Sequence, residues 1–161
     1  MAAVSLKDYY LSFNLGKEIF AIKVQSVLEV LPVQTITPVP KTSTIVLGII
    51  NFRGEIVPVL DFKKKLSIKP VAGSKHVIIV VEIELQPVNV LVGILVDGVN
   101  DVFEIALNDI KQIPDIGIKF KAEFLSGIYK TGEKFLSLLD IQKVFSREEI
   151  MTVNTKITGN K

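Results

Sequence analysis

Residues 48 to 66 read Gly-Ile-Ile-Asn-Phe-Arg-Gly-Glu-Ile-Val-Pro-Val-Leu-Asp-Phe-Lys-Lys-Lys-Leu, and the order of residue types specifies a small unit of structure. Ile49 and Ile50 close one β-prone run, Asn51 to Glu55 interrupt it, and Ile56 to Leu60 resume it. This is the pattern of a hairpin, with Gly54 free to take a positive φ. Asp61 stops the second strand, because its short carboxylate can accept from an amide two or three residues on. Phe62 and Leu66 then suit one face of a short helix, with Lys63 to Lys65 outside. Arg53, one of two arginines against seventeen lysines, stands at the turn. A planar five-donor fork there points to a bidentate carboxylate partner, within the chain or on another protein.

The same alternation recurs on both sides of this unit. Tyr9 to Phe13 and Glu18 to Val24 flank the turn Asn14-Leu15-Gly16-Lys17 and predict a hairpin. Val27, Leu28, Val30 and Leu31 have helix-like spacing, so 25–31 is read as a short helical turn ended by Pro32. The prolines and threonines of 33–44 make an extended connector with room for one edge strand. His76 to Leu85 and Val88 to Val96 predict a long hairpin whose nearly continuous Val and Ile content requires cover on both faces. Residues 103–107 are read as a further strand, and 108–125 are less regular.

Two internal matches organise these elements. Ala21 to Val30 aligns without gaps on Gly93 to Val102, with Ile22/Ile94, Val24/Val96, Val27/Val99 and Val30/Val102 identical and Glu29 against Asp101. Gly48-Ile49, Gly54-Glu55 and Leu60-Asp61 recur as Gly127-Ile128, Gly132-Glu133 and Leu139-Asp140. Two matches in the same order predict two similar halves, roughly 7–68 and 76–146, each a small barrel of short strands without exposed sheet edges. Arg53 has no counterpart in the second copy, where Lys130-Thr131 precede the glycine. That makes it a better functional candidate than anything the halves share.

Composition excludes several functions. A chain of 161 residues with 48% hydrophobic content can bury a core, yet its apolar runs fall far short of the ~20 residues a membrane helix needs. The first residues lack a signal-peptide pattern, and the absence of cysteine removes disulfides and thiolate chemistry, which is compatible with the cytoplasm. A net charge of +2, with lysines scattered among seventeen acids, does not specify a nucleic-acid partner. Lys63 to Lys65 lack interleaved aromatics and are read as a solvated helix face. The single histidine, His76, begins an apolar strand without a visibly paired serine or carboxylate, so it is read as structural. Asp97, Asp101 and Glu104 lack the spacing of a calcium loop and are read as turn caps. No catalytic residue, metal site or cofactor is expected, and the profile suits a binding module.

The run Gly48-x-x-Asn51-x-Arg53-Gly54-x-Ile56-x-Pro58-Val59-x-Asp61, then Gly93-Ile94-x-Val96-Asp97-Gly98-Val99-x-Asp101-Val102, then Leu138-x-Asp140, resembles the CheW-type chemotaxis coupling proteins over about residues 8–146. The resemblance implies a mainly β fold of two SH3-like five-stranded barrels around a shared hydrophobic core, with short helices. It implies a non-enzymatic cytoplasmic adaptor, monomeric in isolation, that holds a CheA-type histidine kinase, through its regulatory domain, to the tips of methyl-accepting chemoreceptors. Glu29 and Arg53 occupy matching positions on the receptor-facing side. Val27, Val30, Val99 and Val102 fall where the family has an apolar groove, and Ile56 at a kinase contact. Phe52 departs from the more usual leucine. Residues 147–161 are expected to form a C-terminal helix or flexible tail. The same fold serves as the kinase's regulatory domain and as the front half of adaptors with a receiver domain; neither is expected, since no phosphotransfer histidine, ATP site or receiver is present. A stand-alone barrel that binds a small ligand or RNA is the alternative from a different functional class.

Overall fold

The computed structural model describes residues 6–40, 44–73, 75–85, 88–112, 124–145 and 150. The chain forms β1 (Lys7–Leu15), β2 (Glu18–Lys23), β3 (Val27–Pro32), β4 (Val46–Phe52), β5 (Glu55–Asp61), α1 (Phe62–Lys65), β6 (Val77–Leu85), β7 (Val88–Val96), β8 (Gly98–Ala106), β9 (Leu125–Thr131), β10 (Lys134–Leu139) and α2 (Ile141–Val144). Apart from Ile150, the expected C-terminal helix or tail lies outside the described residues, as does most of the irregular middle of the second half. No described helix is long and apolar enough to cross a membrane.

Two five-stranded sheets are present, with orders β8-β1-β2-β10-β9 and β3-β6-β7-β5-β4. The hairpins expected from alternation are all formed, and Asp61 caps α1 by accepting from Lys64 N at 3.2 Å. The sheets, however, do not follow the two halves of the sequence. Each half contributes its first hairpin to one sheet and its last three strands to the other, so a barrel from each half alone is not what the pairing gives. The repeat survives this exchange: β3 pairs with β6, the first strand of the second half, just as β8 pairs with β1, the first strand of the first.

Both sheets close on themselves in the same way. The chain beyond β3 returns at Thr37, which exchanges two backbone hydrogen bonds with Ile49 of β4 at 2.9 and 2.8 Å. Beyond β8, Lys111 does the same with Ile128 of β9 at 2.9 Å each way. These closures require glycine. A Cβ on Gly48 would lie 2.2 Å from Thr37 O, and one on Gly127 would lie 2.2 Å from Ile110 Cγ2.

The core follows from strand alternation. In β6, Ile78 and Val80 point into the second barrel with Ile50, Phe52, Val57 and Val59, while Ile79, Val81 and Ile83 point the other way. There they meet Leu11, Phe13, Phe20 and Ile22 of the first sheet in the largest apolar cluster, which the two sheets share. Phe62 of α1 joins Phe145, just past α2, at 5.4 Å between ring centroids. Each fully buried Ile or Phe side chain contributes about 1.5–3 kcal/mol, so the near-continuous apolar content of β6 and β7 is explained by cover on both faces.

Two elements differ from their sequence reading. The strand read over 103–107 is β8 from Gly98 to Ala106, so that Asp101 and Glu104, read as turn caps, lie inside a strand. The other is the segment 24–32. Residues 24–26 form a 3-10 turn, but 27–32 are a strand and not a helical turn. The register skips between Val27, opposite Val81, and Glu29, opposite Val80. This bulge leaves Leu28 as the extra residue, and an extra residue puts positions three apart on one face. The apparent helical spacing of Val27 and Val30 is a bulge read as a helix.

Candidate functional site

The hairpin of 48–66 turns through Arg53 and Gly54, both with positive φ, 51° and 83°. Left-handed φ at both central residues matches the twist of a two-residue hairpin loop, and Asn51 Oδ1 holds the turn by accepting from Gly54 N at 3.0 Å. For a non-glycine residue this conformation is uncommon and costs energy. It projects the arginine out of the sheet toward β3, where Arg53 Nη2 donates to Glu29 Oε1 at 2.5 Å. The guanidinium also lies over the Phe52 ring, with Cζ 4.7 Å from the centroid. The pair remains accessible, at 65% side-chain exposure for Arg53 and 39% for Glu29. A carboxylate partner for Arg53 is therefore within the chain, but the contact runs through one nitrogen and one oxygen and not through the bidentate fork expected from the sequence.

The four valines are arranged by paired bulges. Val99 sits opposite Phe13 and Val102 opposite Leu11, with the register skipping between them as it does at Leu28. Ser12 fills this second bulge, its Oγ both donating to Asp101 O and accepting from Asp101 N at 3.0 Å. Val27 and Val30 likewise face Val81 and Ile79. All four opposing residues belong to the shared core cluster, so the valines stand on two strands where that core reaches the surface. Val27 and Val99 are half-buried against it, and Val30 and Val102 are exposed.

Ile56 is 57% exposed, next to the turn that carries Arg53. It sits opposite Asn51 across the β4–β5 hairpin, and Phe135 sits opposite Lys130 across β9–β10 at the equivalent place, with 60% exposure. Phe135 is not among the candidates read from the sequence, although counting back from Leu139-Asp140 as Ile56 counts back from Leu60-Asp61 reaches it.

The lysine run also departs in part from its sequence reading. Lys63 is buried, not outside: its Nζ donates to Asp97 Oδ1 at 2.6 Å, while Asp97 Oδ2 accepts from Gly16 N at 2.6 Å and His76 Nε2 lies 3.4 Å from Oδ1. Asp97 thus does cap a turn, that of the β1–β2 hairpin. The network fastens this turn, α1 and the crossing from β7 to β8 at the joint between the sheets. A polar concavity of about 550 Å³ lies elsewhere, lined in part by Lys23, Glu82, Glu84 and Gln142. Among the described residues no three His, Cys, Asp or Glu side chains converge as a metal site.

Residues 9–149 match the family model described as a CheW-like domain. The chain belongs to the CheW-like family. It is 31% identical to the chemotaxis protein CheW of Klebsiella aerogenes over 96% of this chain and 91% of that one, and 35% identical to the chemotaxis protein CheW of Thermotoga maritima over 92% and 93%. The scaffolding protein TtCheW from Thermoanaerobacter tengcongensis superposes with a TM-score of 0.78 at 31% identity, covering 92% of this chain and 94% of that structure. The two SH3-like subdomains are those of the CheW fold. Members of this family are non-enzymatic chemotaxis scaffolds, and this chain is one that couples receptors to a CheA-type kinase.

Proposed function

We propose that Glu29 and Arg53, with Val27, Val30, Val99 and Val102, form the surface that receives the chemoreceptor tip, and that Ile56 contacts the regulatory domain of the kinase. The observation that carries this reading is the accessible Arg53–Glu29 pair, in which a costly left-handed turn between β4 and β5 sets Arg53 against Glu29 of β3, the strand that also carries Val27 and Val30. Oriented donors beside apolar side chains suit a helical partner that presents both an apolar stripe and a hydrogen-bond acceptor. Phe135 extends the second contact, since its position in β10 is that of Ile56 in β5. In this reading a unit spanning about 8–146 works as a cytoplasmic monomer between two partners. Holding them on separate surfaces raises their effective concentration toward each other.

The experiment measures binding of a receptor cytoplasmic fragment and of the kinase regulatory domain separately. Arg53→Ala weakens the receptor fragment and spares the kinase domain, and Ile56→Asp does the reverse. Equal loss of both partners in either variant contradicts the assignment of separate surfaces.

A further inference from the structure

Arg53 is held on three sides. Its backbone is fixed in the left-handed turn, one nitrogen of its guanidinium donates to Glu29, and its Cζ lies over the Phe52 ring. Phe52 cannot follow the arginine if it moves, because the residue is only 5% exposed and belongs to the cluster of Ile50, Val57 and Val59 inside the second barrel. The core of that barrel therefore reaches the surface as a rigid aromatic platform under the cation. A cation over an aromatic face is attracted by the ring quadrupole, and a flat platform also restricts the plane of a planar ion. Among the described residues, Arg53 Nε and Nη1 donate to nothing.

We propose that Phe52 is a positioning residue for receptor recognition. Its ring fixes the plane of the Arg53 guanidinium, so that the unused N–H groups meet an oxygen acceptor of the receptor lying in that plane. This rests on the receptor-site reading above. Ordering the side chain before binding removes part of the entropy that association would otherwise cost.

The test uses the full chain and Phe52→Leu, which keeps an apolar side chain in the barrel but removes the ring. In the free protein, the nuclear relaxation of Arg53 Nε–H changes from that of an ordered side chain to that of a mobile one. Affinity for the receptor fragment falls about two- to fivefold in the otherwise native chain and does not change further when Arg53→Ala is already present, while the melting temperature shifts equally in both backgrounds. An Arg53 Nε–H that stays ordered in Phe52→Leu overturns the proposal, as does an equal affinity loss in both backgrounds. If Arg53→Ala alone leaves receptor affinity intact, the receptor-site reading fails and this proposal with it, even where the relaxation measurement still finds the ring fixing the guanidinium.

Discussion

Glu29 and Arg53 join the two ends of one sheet. In the order β3-β6-β7-β5-β4, Glu29 lies in the first strand and Arg53 at the end of the last, yet their side chains meet because the sheet curls until those strands are neighbours. The backbone bridge between Thr37 and Ile49 closes the same gap. An ion pair placed there marks the barrel seam and stays open to a partner.

Val102, the more exposed of the two exposed valines, is the cleanest probe of the apolar surface. Val102→Asp is expected to keep the native circular dichroism spectrum and melting temperature, and to weaken receptor binding because the carboxylate must be desolvated on association. Val99→Asp is expected to lose stability as well, since Val99 packs against the shared core. Calorimetric titration and thermal melting on the same samples separate the two effects.

Breaking the buried pair at the joint is expected to be severe. Lys63→Met leaves the Asp97 carboxylate without its ammonium partner in a buried site, a change that costs about 3–5 kcal/mol. Denaturant unfolding measures this directly.

The closing glycines are expected to tolerate no side chain. Gly48→Ala and Gly127→Ala each force a Cβ into the backbone or side chain of the returning segment, costing about 1–3 kcal/mol. Gly54→Ala meets no atom within 4 Å, so its cost comes from the positive φ alone. Urea denaturation ranks the three.

At the β1–β8 seam, hydrogen bonds from Lys7 and then Tyr9 hold the Glu104 carboxyl below its ordinary value. Because the folded pKa is depressed, the contribution is present above the unfolded pKa and is lost as pH falls through the folded one. Lys7→Ala is expected to raise the Glu104 titration midpoint, read by NMR of its side-chain carboxyl.

Local chemistry made much of this fold legible in advance. Hairpins follow from period-two alternation, Asp61 from its capping role, and the repeat from matched spacings of glycine and aspartate. The exchange of strands between sheets was not legible, because alternation fixes which face a residue takes but not which distant strand it pairs with. The bulge at Leu28 misled for a related reason: one extra residue turns a spacing of two into three. Lys63 sits in a run of three lysines that reads as solvated, and Asp97, its partner, is 34 residues away in sequence.

The measurement that bears most directly on Glu29 and Arg53 as the receptor contact is a double-mutant cycle on affinity for the receptor cytoplasmic fragment. Arg53→Lys, Arg53→Ala and Glu29→Ala are each expected to lose about 1–3 kcal/mol of binding, and Arg53→Ala with Glu29→Ala less than the sum of the two. Folding stability should fall by only ~0–1 kcal/mol, as for an exposed ion pair. A receptor affinity unchanged by Arg53→Ala would contradict the assignment and leave Arg53 as the solvated tip of a hairpin.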